Sequence, residues 1–174
     1  MNEILDKLSS ADLRSEGRAE EVAREVVDNP ALLPALAEGL YSEDKLIRGR
    51  TCMAMEVISR EQADLLAGTV PQLVELASRA TVSQVKWHIA EVFANIPISG
   101  ADGERIIPIL LQYLDDRSRI VKHCAVQALG VLGKMSPRRT EIASRISPVA
   151  NESKSLAKAV HRALQSLKDS EVDR

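Results

Sequence analysis

The chain has 174 residues, of which 45% are hydrophobic and only 2% aromatic, and its formal net charge is −2. That length suits one folded domain with a substantial core, and that composition requires the core to be built from Ala, Val, Leu and Ile. The weak net charge excludes a sequence-wide attraction to nucleic acid or anionic lipid, so either would need a local patch.

Residues 1–14 are charged throughout and lack the apolar run of a secretory signal. Within them Ile4, Leu5 and Leu8 predict a short helix that caps the first helical pair. No later segment reaches the ~20 apolar residues of a membrane span. Cys52 and Cys124 lie far apart inside helical patterns, which predicts reduced, core-facing thiols. Together these features predict a cytoplasmic protein without membrane contact.

From residue 15 onward the chain reads as repeats. Ala19, Ala23, Val26 and Val27 predict a helix that Asn29 and Pro30 stop. Pro34, Pro71 and Pro108 follow at a constant spacing of 37 residues. At offsets −1, +2, +3 and +6 each is accompanied by one apolar stripe: Leu33, Leu36, Ala37 and Leu40; Val70, Leu73, Val74 and Ala77; Ile107, Leu110, Leu111 and Leu114. Proline is tolerated in a first helical turn, so each is expected near a helix start, with Thr69 as an N-cap and Gln72 completing a capping box. Pro30 offers an earlier start for the first helix, which would put Pro34 one turn inside and kink it.

A second helix family interleaves with the first at spacings 0, +4, +7, +8 and +11. Its four copies are Ile47, Thr51, Ala54, Met55 and Ile58; Val85, Ile89, Val92, Phe93 and Ile96; Val121, Ala125, Ala128, Leu129 and Leu132; and Leu156, Val160, Ala163, Leu164 and Leu167. Residues 97–103 and 134–137 read as loops between helices. Residues 140–151 keep only Ile142, Ile146 and Val149 as a stripe, with Pro148 late, so this helix is expected to be short or broken. Residues 153–168 read as a single capping helix and 169–174 as a polar tail.

Residues 114–133, LDDRSRIVKHCAVQALGVLG, resemble the HEAT repeat: an acidic turn, then Val-Lys, small residues and Ala-Leu-Gly. Weaker copies begin at Ser42 and Ser83. The resemblance covers residues 15–168 and implies an all-α, right-handed solenoid of about four antiparallel helix pairs with helical caps. It is specific for architecture and nearly silent about activity; the phased repeat without a chemical constellation predicts a non-catalytic module or scaffold for an unidentified protein partner. The alternative the resemblance carries is a DNA-binding or alkylpurine DNA glycosylase-like protein, which the slight acidity and scarcity of aromatics disfavour.

By resemblance to HEAT proteins, where the second helix of each pair lines the concave surface, the exposed side of the proline-led helices is the candidate partner-binding face. Offsets +1, +4 and +8 give Ala35, Glu38 and Ser42; Gln72, Glu75 and Arg79; Ile109, Gln112 and Asp116. Trp87 lies outside its helix's core stripe and serves either as a contact for a partner or as packing between repeats. Arg48, Lys86 and Lys122 hold equivalent positions. The resemblance implies that each links to an acidic turn residue such as Asp44, Asp115 or Asp116, which sets the stacking. Lys134, Arg138, Arg139 and Arg145 form a basic cluster around one loop. No catalytic constellation, metal site or cofactor is predicted: His88, His123 and His161 are scattered, and His123 beside Cys124 cannot share a helical face with it.

Overall fold

Every regular element in the described residues, 2–9 and 18–169 of this computed structural model, is helical. In chain order they are α1 (Glu3–Leu8), α2 (Ala19–Asp28), α3 (Leu33–Ala37), α4 (Lys45–Glu61), α5 (Val70–Arg79), α6 (Ser83–Asn95), α7 (Gly100–Tyr113), α8 (Arg119–Leu132), α9 (Arg139–Ile146) and α10 (Lys154–Asp169). Short 3₁₀ segments flank α3, precede α5, follow α8 and follow α9. Residues 10–17 and 170–174, which hold the end of the predicted N-terminal cap and nearly all of the predicted polar tail, lie outside the described residues. The chain divides into two compact units between Pro97 and Ile98.

In the first unit α4 packs against α2 and α6, while α1 rests on both α2 and α4. The predicted stripes supply the core: Ala19, Ala23, Val26, Leu36, Leu40, Met55, Ile58, Leu73, Ile89 and Phe93 are fully buried. Arg50 is also buried, at 1% exposure, and its Nη1 donates to the Leu8 carbonyl at 2.7 Å. That carbonyl ends α1 without a helical donor, so the guanidinium satisfies it and joins α4 to the cap.

In the second unit α8 packs against α7 and α10. Gly130 makes the α8–α10 approach close, since a Cβ there would lie 2.8 Å from the Ala163 Cβ and 2.9 Å from its Cα. Ser166 Oγ donates to the Gly130 carbonyl at 3.1 Å across the same seam. The helix before α10 is broken as its sequence predicts: α9 spans eight residues, and Pro148 then opens a 3₁₀ segment, Ser147–Glu152. α10 packs on this broken helix as well as on α8, so it completes a fourth pair rather than standing alone.

Several expected helix boundaries are corrected. Pro71 occupies the first turn of α5, but Pro108 lies inside α7, which begins at Gly100. The start is set by Ser99, whose Oγ accepts from the Asp102 N–H at 3.1 Å, so most of the predicted 97–103 loop is helical. Thr69 does not cap α5: its hydroxyl donates to the Leu66 carbonyl at 2.8 Å, and the Gln72 Oε1 is buried without a partner. Around Pro34 the chain changes from 3₁₀ to α and back to 3₁₀, in place of one kinked helix.

Candidate functional site

The two units place the candidate residues in different settings. In the first, α5 carries Glu75 and Arg79 on adjacent turns, with the Arg79 Nη2 to Glu75 Oε1 distance 3.6 Å. The Tyr41 hydroxyl donates to Glu75 Oε2 at 3.4 Å, and the Arg79 guanidinium stands 6.0 Å from the Tyr41 ring centre. Desolvation and the Glu75 carboxylate hold the Tyr41 phenol above its ordinary value. Tyr41 is 50% exposed, and with Arg79 it borders a cavity of about 320 Å³ floored by Leu76, Val82 and Val85.

The other ladder residues do not join this group. Glu38 accepts from the Asn2 Nδ2 at 2.8 Å and edges a separate cavity of about 580 Å³ beside α1. Gln72 is half-buried. In the second unit Gln112 is exposed on α7, while Asp116 lies in the following turn and accepts from the Ser118 N–H at 2.8 Å.

Among the bases in register, Lys122 meets an acid, though not one of those named, whereas Arg48 meets a backbone carbonyl. Arg48 donates to the Ser42 carbonyl. Lys122 meets Glu152 at 2.7 Å, an acid in the turn before α10 just as Asp115 and Asp116 precede α8. Asp44 instead caps α4 by accepting from the Leu46 N–H at 2.8 Å, and Asp115 receives Arg145 at 3.1 Å. Within the basic loop cluster, Arg138 forms a two-pronged pair with Glu141 at 2.7 and 2.8 Å.

A polar seam between α4 and α6 has no counterpart in the sequence reading. Glu56 and His88, both nearly buried, are hydrogen-bonded through the His88 Nδ1, and Arg60 reaches Glu56 at 2.6 Å. Burial pushes the Glu56 carboxyl up, but hydrogen bonds from His88 and Glu91 with the nearby positive charge outweigh it and hold the group below its ordinary value. Asn95 extends the seam by donating to Ser59 Oγ at 3.0 Å. Trp87 is half-buried at this seam, edge-on to His88 with ring centres 5.2 Å apart. The signal available in the sequence was a charge, Glu56, directly after two core positions of α4.

Comparison with known proteins supports the repeat reading. Residues 106–136 match the model of the HEAT repeat. The importin subunit alpha-2 of Arabidopsis thaliana is 29% identical over 118 residues, covering 61% of this chain and 22% of that protein. The chain thus spans about a fifth of that relative's length. Two crystal structures of engineered proteins cover 97% of the chain with TM-scores of 0.71 and 0.72 at 18% and 19% identity, and they cover 79% and 81% of those chains. The likeness to these structures places the fold in the α-solenoid class.

The HEAT match begins in α7 and ends just beyond α8, so α7 is a first helix and α8 a second one. By the same order α5 precedes α6, and the proline-led ladder lies on first helices. The second helices are then α4, α6, α8 and α10; exposed residues are few on α4 (Lys45, Arg60 and Glu61) and α6 (Asn95) and more numerous on α8 and α10.

Proposed function

From the premise that this chain is a HEAT-repeat protein, we propose that it is a non-catalytic scaffold whose second helices hold a protein partner. The observation that carries the reading is the alternation itself. In each unit the second helices pack side by side, α4 on α6 and α8 on α10, and in the second unit they keep exposed polar residues, Arg119 and Gln127 on α8 and a row from Lys154 to Lys168 on α10. A rigid helical face binds without ordering itself first, which limits the entropy lost on association. Trp87 belongs to this set, on α6. The Tyr41, Glu75 and Arg79 group on the first-helix side is the competing surface.

Affinity capture with quantitative mass spectrometry separates the two surfaces. Trp87→Ala combined with Gln127→Lys alters second helices, and Glu75→Lys combined with Gln112→Lys alters first helices. The scaffold reading expects the first variant to lose the captured partner and the second to retain it. The reverse would move the site to the first helices, and no captured partner with either variant or the parent chain would remove the reading.

A further inference from the structure

The small net charge conceals a strong segregation. Residues 117–168 carry eleven Lys and Arg against two acids, Glu141 and Glu152, in a chain whose formal charge is −2. Both acids are already engaged, by Arg138 and Lys122, each at 2.7 Å. Arg119, Lys134, Lys154, Lys158 and Arg162 are exposed and have no acidic partner among the described residues.

Four of these bases lie on two neighbouring helices, and Lys134 directly follows α8. Lys154, Lys158 and Arg162 recur every four residues and form one ridge along the exposed side of α10. On α8, His123 lies against α10 through a 3.3 Å contact between its Nδ1 and the Ser155 Oγ, and Arg119, one turn earlier, shares that side. Beside it runs a ridge of Ile120, Gln127 and Val131, continued by Met135. Ile120 is 52% exposed, Val131 45% and Met135 82%. Since α8 and α10 touch at Gly130 and Ala163, the apolar and basic ridges form one two-helix face inside the second unit.

We propose that this α8–α10 face binds an acidic polypeptide segment that carries apolar side chains between its carboxylates. The inference rests on the scaffold reading and names the chemistry of its partner. Carboxylates meet the unpaired bases, and apolar groups cover Ile120, Val131 and Met135. A nucleic-acid backbone would satisfy the charges but leave the apolar ridge against phosphate. The chain from residue 114 onward also contains no Trp, Tyr or Phe on which a base could stack.

The test uses the full chain and fluorescence anisotropy at low salt, with three labelled probes: a short peptide of alternating Glu and Leu pairs, its Glu–Ser counterpart and a short DNA duplex. The Glu–Leu peptide is expected to bind about tenfold or more tightly than either other probe and to weaken as salt is added. Two variants, Val131→Asp and the combined Lys154→Glu, Lys158→Glu, Arg162→Glu, are each expected to weaken it by about tenfold or more. Arg105→Glu on the first helix α7 is the control that leaves binding unchanged, and circular dichroism verifies that every variant is folded. Tighter binding of the duplex, equal binding of both peptides, no peptide binding, or self-association that the charge reversal abolishes would each overturn the inference. If the peptide fails while native capture still depends on Trp87 and Gln127, only the partner chemistry is lost. If native capture fails as well, the scaffold reading goes with it.

Discussion

Glu56 and His88 show what a single buried pair contributes. Removing one partner leaves the other desolvated, so Glu56→Ala is expected to cost about 3 kcal/mol in urea unfolding at neutral pH. Folding holds the Glu56 carboxyl below its ordinary value of 4.5, so its charged form is the one the fold favours. The stabilisation is therefore fully present above that value and is lost below it, as the pH falls through the lower value held in the folded chain. The stability gap between the parent chain and Glu56→Gln should narrow in acid, and a constant gap would contradict the assignment. Gly130 tests packing instead: Gly130→Ala gains up to about 1 kcal/mol in helix propensity but loses about 1 to 3 kcal/mol to overpacking against Ala163, so a net loss is expected. Cys52 is buried and its thiol is pushed up to about 12, chiefly by burial, so its alkylation by iodoacetamide should follow unfolding rather than precede it.

Helix identity was legible because both families repeat at helical spacing, and nearly all the stripe positions they name are buried. Boundaries were less legible where two signals competed. The even spacing of the prolines suggested three equivalent helix starts, yet at α7 the Ser99 cap lies nearer the preceding helix and Pro108 is carried mid-helix. The cap prevails because it satisfies free N–H groups, whereas a proline whose ring is accommodated forfeits only one backbone bond. Pro108→Ala should therefore stabilise the chain, by up to about 3 kcal/mol, and a melt at or below that of the parent would show that the proline is needed there. The candidate site was read less well than the fold, because the residues that meet across helices, such as Glu56 with His88 or Lys122 with Glu152, stand about thirty positions apart and share no local pattern.

At the scale of the molecule, each unit presents second helices side by side, and composition averaged over the chain hid that those of the second unit are basic. Under the proposed scaffold reading, helical order and not the proline ladder decides which faces are offered to a partner. Hydrogen exchange of the chain with and without its captured partner tests this most directly. Slowed exchange concentrated in α6, α8 and α10, with α5 and α7 unchanged, is the predicted result; protection confined to α5 and α7 would contradict the account.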